Sequence, residues 1–356
     1  MIYEVVPASL ADGEFLLELI ESTPAQGNIE LFYTRRPNVL TSYLRESDRV
    51  SLGIIRDAQG RPGCMEACIW RKFYLNGKPA VVGYVSGVRK REGFGIRCNW
   101  LKLMIAYESD HCDTWIFSIL KDNPKALAFF DKRRPYMPEL VRLCDYTTYL
   151  INPHSLKPVS EKGFNFRPVE TSDLPEVLSF LEKEGRNYDF FPVVHDLQRS
   201  FSGLELSDCY VLVQHNRIVA FGALWNQCEH KQYIVKAYHG LMKGLSKISH
   251  LTERLGYIPM PRAGTVLNFP TLTLMVSRAG DPVLYDLLLR SLAAEASKRG
   301  YHMIVAGISR NNRHDATYRK LKNLHFDSQI WLVQTRTNPG QLPSADREYH
   351  LECGWL

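Results

Sequence analysis

Hydrophobic and polar positions follow the same order twice along this chain. Each half opens with a short apolar stretch, at Tyr3 in the first and at Phe166 in the second. An acidic cap and apolar residues at helical spacing come next, which predicts a strand followed by an amphipathic helix. Apolar, β-rich runs follow and predict three further strands per half, over residues 50–55, 64–74 and 80–88, and over 209–213, 218–225 and 271–276.

The remaining pattern of each half predicts a long helix, a buried strand and a last helix. In the first half, one helical face begins at Ile96 and includes Trp100, Leu103, Met104 and Tyr107. The corresponding helix of the second half covers residues 284–292, and the buried strands are 114–120 and 303–308. Asn76-Gly77 and His215-Asn216 are the predicted hairpin turns. The predicted order is β-α-β-β-β-α-β-α-β in both copies.

Length and composition are consistent with a repeated architecture. The chain has 356 residues, 45% of them apolar and 23% charged, so two globular units are expected. We predict one domain over residues 1–152, a polar linker over 153–163 and a second domain over 164–356. Residues 238–268 have no counterpart in the first half and are predicted to be an insertion with a helix near 248–255. The alternating tail, 349–356, predicts a final strand.

Charge, cysteines and hydropathy narrow the class of protein. The net charge of +6 suits an anionic ligand without requiring nucleic acid. No secretory signal and no apolar run of about 20 residues is present, so no membrane partner is expected. The eight cysteines are scattered, which favours reduced thiols in a cytoplasmic protein and no metal site. The sequence leaves the oligomeric state open.

An apolar strand over residues 81–88 runs directly into a basic, glycine-bearing turn. Gly93 and Gly95 allow a tight turn, and the backbone N–H groups at the predicted helix start form an anion site. Arg89, Lys90 and Arg91 add positive charge around it. A plain strand-to-helix turn is the alternative, because two glycines alone are weak evidence.

The segment 90–95 resembles the GNAT acetyltransferase signature Q/R-x-x-G-x-G/A, with Lys90 at the Q/R position. Val85 lies where that family has its strand valine, eight residues before the first glycine. The resemblance implies an α/β chain of two GNAT-type acyltransferase folds in tandem. It also implies that loop amides hold the pyrophosphate of coenzyme A or acetyl-coenzyme A. The implied cofactor-binding residues are Val85, Ser86, Val88, Arg89, Lys90, Arg91, Gly93, Phe94, Gly95, Ile96, Asn123 and Phe130.

Downstream, the stretch from Asn123 to Phe130 resembles the family pattern N-x-x-A-x-x-x-Y. Its last position departs, because many members have a tyrosine there that protonates the leaving thiolate. Phenylalanine has no proton to donate. Another group or water must serve instead, or the chain binds acyl-coenzyme A without turnover.

The second copy has a poorer anion loop. Gly280 is its one glycine, Asp281 adds negative charge, and Pro282 removes a backbone N–H. Asp281 and Pro282 are more typical of a helix cap, so we interpret this copy as a decayed cofactor site. Asn311 and Tyr318 keep the family's N-to-Y spacing. Tyr318 is therefore a candidate acid, although a packing tyrosine is the ordinary interpretation.

The resemblance implies acetyl transfer from acetyl-coenzyme A to a primary amine, with the acceptor unidentified. Backbone N–H near Val85 or Ser86 would meet the oxyanion, and Glu66 is the candidate base. Glu66 as an exposed strand residue paired with Arg71 or Lys72 is the alternative. Other tandem folds of this type occur in aminoacyl-tRNA-dependent peptidyltransferases and N-myristoyltransferases, and a non-catalytic acyl-coenzyme A-binding module is a third possibility.

Overall fold

The computed structural model describes residues 3–22, 29–96, 114–132, 139–158, 161–334, 342–344 and 346–356. The strands are β1 (Glu4–Pro7), β2 (Ile29–Thr34), β3 (Val50–Arg56), β4 (Pro62–Leu75), β5 (Lys78–Lys90), β6 (Thr114–Leu120), β7 (Glu139–Ile151), β8 (Phe164–Pro168), β9 (Tyr188–Asp189), β10 (Cys209–Gln214), β11 (Arg217–Asn226), β12 (Gln232–Tyr238), β13 (Pro270–Ser277), β14 (Ile304–Ser309), β15 (Asn323–Gln334) and β16 (Glu348–Tyr349).

Helices flank these strands within the described residues. They are α1 (Gly13–Glu21), α2 (Val39–Leu44), α3 (Pro124–Asp131), α4 (Leu174–Gly185), α5 (Leu197–Ser200), α6 (Gly240–Lys247), α7 (Ser249–Arg254), α8 (Pro282–Lys298) and α9 (Asp315–Arg319). Apart from Ile96 itself, the helix predicted from Ile96 through Tyr107 lies outside the described residues. The predicted insertion helix corresponds to α7, and the predicted helix over 284–292 lies inside α8.

Both halves contribute to one twelve-stranded sheet, in the order β1-β3-β4-β5-β6-β15-β7-β14-β13-β11-β10-β8. The order is symmetric about its centre when each strand of the first half is matched with its counterpart in the second. At the centre, β15 of the second half pairs with β6 of the first, and β7 of the first pairs with β14 of the second. The last strands are therefore exchanged between the halves, and the sheet is continuous across them.

The predicted hairpins are confirmed by their backbone angles. Asn76 and Gly77 have φ of 50° and 74°, and His215 and Asn216 have φ of 49° and 57°. Positive φ at both central residues is the geometry that matches the twist of two antiparallel strands. Local turn chemistry thus fixed the register of β4 with β5 and of β10 with β11.

The predicted final strand over residues 349–356 is wrong for most of its length. Only Glu348–Tyr349 is a strand, and it pairs with β9. Cys353–Trp355 forms a 3₁₀ turn, and the Trp355 ring stacks on Phe201 at 4.7 Å. Its apolar residues alternate because they pack into an existing core, not because they extend a sheet.

A second small sheet covers one face of the large one. It joins β2 of the first half to β12 of the second in antiparallel register. The opposite face, near β6, is covered by α3, whose Phe130 packs on Phe117. The two halves are therefore joined by strand exchange and by this shared cover.

Candidate functional site

In the first half, β5 and β6 stop pairing partway along their length, and we call the unpaired stretch between them the first cleft. The two strands are parallel and pair at Gly83 with Trp115 and at Tyr84 with Ile116. Past this point β5 continues to Lys90 and β6 continues to Leu120, with no further pairing between their described residues. The backbone edge of β5 beyond Tyr84 is therefore available to a ligand that enters between the strands.

A β-bulge lies in β5 on this open stretch. The register against β4 shifts, so that Gly87 and Val88 both lie opposite Glu66. Gly87 has φ of +63°, and a Cβ there would be 2.3 Å from the Tyr43 hydroxyl. Only glycine satisfies both constraints. The bulge bends the strand at the mouth of the cleft.

The glycine-bearing loop directly follows β5. The Arg91 N–H donates to the Gly63 carbonyl at 2.8 Å, which ties the start of the loop to β4. Within the described part of the chain, no acceptor bonds the backbone N–H groups of Glu92, Gly93 or Gly95. Exposed amides with no internal acceptor are the groups that a phosphate oxygen would accept from.

Two apolar side chains hold this loop against the sheet. The Phe94 ring covers Gly63 so closely that a Cβ there would be 2.0 Å from it. Ile96 is buried with Ile55 and Cys64. Phe94 and Ile96 were predicted to contact the cofactor, and in the structure their side chains anchor the loop, which leaves backbone atoms to face a ligand.

The basic residues of the loop have their own partners. The Lys90 ammonium donates to the Phe94 carbonyl at 3.2 Å, and Arg91 pairs with Glu18 at 2.7 Å. Arg89 donates to the carbonyl of Val88 at 2.9 Å. Lys90 is exposed, and Arg91 and Arg89 are partly so. These cations surround the loop and keep its potential positive.

Asn123 and Phe130 lie at the two ends of α3. The Asn123 side chain accepts from the Ala126 N–H at 3.1 Å, so its observed role is to cap the helix. The Phe130 ring lies 4.8 Å from that of Phe117. Both residues thus shape the wall beside β6, and Phe130 brings no hydroxyl to it.

Glu66 is buried, with 3% of its surface exposed. The alternative of an exposed strand glutamate paired with Arg71 or Lys72 is therefore wrong in its exposure, and Arg71 pairs with Glu46 at 3.0 Å. Alternation along β4 places Glu66 on the opposite sheet face from Arg71. Its position opposite the bulge leaves it a candidate base at the cleft.

A buried group of four charged residues lies on the other face of the sheet: Arg35, Glu46, Arg71 and Lys231. Glu46 accepts from Arg35 at 2.5 Å and from Arg71 at 3.0 Å. Burial by itself raises the pKa of Glu46, but the charges of Arg35, Lys231 and Arg71 hold it at about 2. Burial lowers the pKa of Lys231 to about 8, against the pull of Glu46.

Sequence reasoning missed this group because its members are far apart along the chain and Lys231 comes from the second half. It also missed Tyr84, which is the last residue of β5 that pairs with β6. The Tyr84 hydroxyl is 3.0 Å from the Ser118 hydroxyl, across the point where the strands separate. Burial raises the pKa of Tyr84 well above its ordinary value, so its hydroxyl keeps its proton at neutral pH.

The second half has a matching cleft that the chain itself fills. The strands β13 and β14 pair at Thr271 with Val305 and then diverge. Leu274, at φ of +53°, lies in the corresponding bulge of β13. Its N–H donates to the Glu352 carboxylate at 3.0 Å, and the Thr273 hydroxyl donates to the same carboxylate at 3.1 Å.

The second loop is also closed by carboxylates of the chain. The Ala279 N–H donates to Glu184 at 2.8 Å. Asp281 caps α8 by accepting from the N–H groups of Val283 at 2.8 Å and Leu284 at 3.2 Å, which confirms the predicted helix cap. The backbone N–H groups of Ala279, Val283 and Leu284, which a pyrophosphate would need as donors, therefore already bond to carboxylates of the chain.

Tyr318, the candidate acid of the second copy, is buried and bonded to the Tyr285 hydroxyl at 2.8 Å. Its ring also stacks on Tyr149 with centroids 5.6 Å apart. These contacts are those of a packing tyrosine. Asn311 donates to the Arg347 carbonyl at 3.2 Å.

The described residues contain no group of three or more histidine, cysteine, aspartate or glutamate side chains placed to hold a metal ion. None of their helices is long and apolar enough to cross a membrane. The cysteines described are free thiols.

No family model and no curated protein matches this chain by sequence. Solved structures do match it by fold. N-myristoyltransferase of Saccharomyces cerevisiae with bound myristoyl-CoA has a TM-score of 0.57 and 11% identity, over 98% of this chain and 87% of that one. A GCN5-related N-acetyltransferase from Sphaerobacter thermophilus has a TM-score of 0.55 and 11% identity, over 96% and 98%.

A third match is the GCN5-related glucosamine N-acetyltransferase region of a fungal multi-domain β-N-acetylglucosaminidase. Its TM-score is 0.61 at 11% identity, over 93% of this chain and 38% of that one. Likeness at this identity establishes the fold. The chain has the GNAT fold, arranged in tandem as the symmetric sheet order shows.

Proposed function

We propose that the first half of this chain binds an acyl-coenzyme A and transfers the acyl group to an amine. The observation that carries the proposal is that β5 and β6 stop pairing beyond Tyr84 and Ile116, next to loop amides that have no acceptor among the described residues. The fold neighbours include an N-myristoyltransferase with bound myristoyl-CoA and GCN5-related N-acetyltransferases, which supports this class of donor.

In the proposed mechanism, the amides of Gly93 and Gly95 bind the pyrophosphate, and the thioester lies in the cleft. The amine nitrogen attacks the thioester carbonyl carbon, the C–S bond breaks, and the thiolate leaves and takes up a proton. Backbone N–H groups of β5 at Val85 or Ser86, beside the bulge, would stabilise the oxyanion. The bulge would hold these N–H groups in position before the reaction begins.

Two proton-handling groups fit the cleft. Glu66, buried opposite the bulge, is the proposed base that takes the ammonium proton, directly or through water. Tyr84 stays protonated at neutral pH and is the proposed hydrogen-bond donor toward the reacting group. Tyr84 would supply the hydroxyl proton that Phe130 lacks.

The acyl group is proposed to be acetyl, as in the acetyltransferases that share the fold. The decisive assay measures release of free thiol from coenzyme A thioesters of increasing chain length in the presence of a panel of primary amines. Amine-dependent release, with the acyl group recovered on nitrogen, is expected. Saturable coenzyme A binding without any release would instead identify an acyl-coenzyme A-binding module, which is the alternative raised by Phe130.

Replacing Glu66 by glutamine should lower kcat about 100-fold, because general-base assistance is lost while size and shape are kept. Binding of coenzyme A should change less than about twofold. The matched control is Glu14→Gln, which makes the same change from carboxylate to carboxamide at an exposed position of α1. It should leave kcat unchanged. A Glu66→Gln enzyme with the parent's kcat would remove Glu66 from the mechanism.

Titration calorimetry with coenzyme A should give one site per chain. The physical reason is that Glu352, Glu184 and Asp281 occupy the backbone donors of the second half. A carboxylate about 4 Å from a phosphate costs on the order of 1 kcal/mol in water and several at reduced dielectric. Two equivalent sites, or a single site that a change at Arg278 removes and a change at Gly93 leaves, would mean that the live and the decayed halves are reversed.

A further inference from the structure

The helices α6 and α7 of the insertion bury none of their residues against the rest of the described structure. Leu241 in α6 and Leu255 directly after α7 are exposed, at 78% and 61%, whereas Met242 and Leu245 of α6 are half-buried. Helices in globular proteins usually owe their stability to an apolar face packed on a core. These two present such a face to the outside.

Within α6, Leu241 lies on a different side of the helix from Lys243 and Lys247. A non-helical residue, Ile248, separates α6 from α7, and it is exposed together with Leu251 and Leu255. Lys243, Lys247, His250 and Arg254 are exposed as well. We call the exposed surface of residues 240–255 the insertion face. Its pattern is typical of helices that lie in the plane of a membrane interface.

Positive charge is concentrated around the insertion face. Between residues 236 and 262, lysine and arginine outnumber acidic residues five to one. Lys236 is paired with Glu30 at 3.0 Å, and the one acid, Glu253, faces His302 at 3.7 Å. Lys243 and Lys247 have no ion pair within the described structure, so their charge is available to an external anion.

A basic cleft of about 410 Å³ lies beside α7. Arg254 and Leu255 form its insertion side, and Arg290, Lys320 and Lys322 line it from the second half. The Lys322 ammonium donates to the Leu255 carbonyl at 2.6 Å, and Arg290 is paired with Asp286 at 2.7 Å. Lys320 is exposed. The cleft has the charge to receive an anionic headgroup at the edge of the apolar face.

From these observations we infer that the insertion face docks on an anionic phospholipid membrane, with its leucines at the headgroup boundary and its lysines near the anionic lipids. The contact is peripheral, since no described helix is long and apolar enough to cross a membrane. It revises the expectation of no membrane partner, which rested on the lack of a spanning segment. It is independent of the acyltransferase proposal.

A second copy of the chain is a poorer occupant of the insertion face. Two copies would bring the same excess of lysine and arginine together, and like charges repel at short range. A membrane that contains acidic lipids supplies both the apolar layer and the negative charge, at about 1 kcal/mol for each lysine or arginine near the surface.

The test is co-sedimentation of the full chain with phosphatidylcholine vesicles that contain about 30% phosphatidylserine, at about 0.1 M salt. We expect binding at least about tenfold tighter than to phosphatidylcholine alone, and weaker at about 0.5 M salt. The double variants Leu241→Gln/Leu251→Gln and Lys243→Gln/Lys247→Gln should each lose about tenfold or more in affinity. Their melting temperatures should match the parent's, because no residue of these helices is buried.

Two controls isolate the surface. Leu10→Gln/Val283→Gln changes equally exposed apolar residues elsewhere, at 67% and 58%, and should bind vesicles like the parent. Lys162→Gln/Lys183→Gln removes the charge of two exposed lysines elsewhere and should also bind vesicles like the parent. Equal binding to both vesicle types, or parent-like binding by the Leu241/Leu251 variant, would overturn the inference. Full competition by inorganic phosphate or by polyglutamate would do so too, and would point to a phosphate site or an acidic protein.

Discussion

Gly93→Asp is expected to abolish the thermal stabilisation that coenzyme A gives the parent protein, with a loss in affinity of at least about 100-fold. The new carboxylate would lie where the pyrophosphate is proposed to bind, among amides that have no other acceptor in the described part of the chain. A Cβ at position 93 meets nothing within 4 Å, so the change adds charge without a steric clash. Gly95→Asp should act in the same direction, although its Cβ would be 3.2 Å from the Tyr3 hydroxyl.

The effect of charge can be separated from backbone strain. Gly93 has φ of +76°, so any side chain there is strained. Gly93→Ala introduces that strain without charge and should keep most of the affinity. Gly300→Asp, at φ of +81° and also with nothing within 4 Å, introduces the same strain and charge far along the chain and should bind normally. Parent-like stabilisation of Gly93→Asp by coenzyme A would show that the loop is an ordinary turn.

Glu46→Gln is expected to destabilise the fold by about 3–5 kcal/mol at pH 7, measured by urea unfolding. Arg35 and Arg71 are both buried and both pair with Glu46, so the change leaves buried positive charges without their counter-ion. Glu182→Gln is the control, because Glu182 forms an exposed pair with Arg186 and should change stability by less than about 1 kcal/mol. A loss of less than about 1 kcal/mol for Glu46→Gln would contradict the stabilising role of Glu46 between the two buried arginines.

The same carboxylate predicts a pH dependence. Its folded pKa, about 2, lies below its ordinary value of 4.5, so its stabilisation is complete above pH 4.5 and is lost as the pH falls toward 2. The expected loss is about 3 kcal/mol, since each pKa unit is worth about 1.4 kcal/mol. The free energy of unfolding of Glu46→Gln should lack this component, so its difference from the parent should shrink on acidification. A difference that stays constant between these pH values would be inconsistent with the depressed pKa.

Local sequence patterns were enough to predict the strands β4 and β5 and to mark the turn that holds Gly93 and Gly95. Alternating apolar residues predict β4 and β5, and the Asn76-Gly77 turn fixes how they pair, because turn geometry and side-chain alternation act over a few residues. The repeated order of elements likewise gave the tandem fold. The same local logic identified Asp281 as a helix cap.

How the two halves combine, and which groups lie around their clefts, depends on contacts between residues that are far apart along the chain. The exchange of β7 and β15 leaves no trace in hydrophobic periodicity, because either arrangement buries the same faces. The tail looked like a strand for the same reason, yet it inserts Glu352 into the second cleft. Glu46 and Lys231 are 185 residues apart in a chain whose local pattern marks neither as special. Such pairs form because burying a charge is unfavourable without a partner, and which partner is available depends on the whole fold.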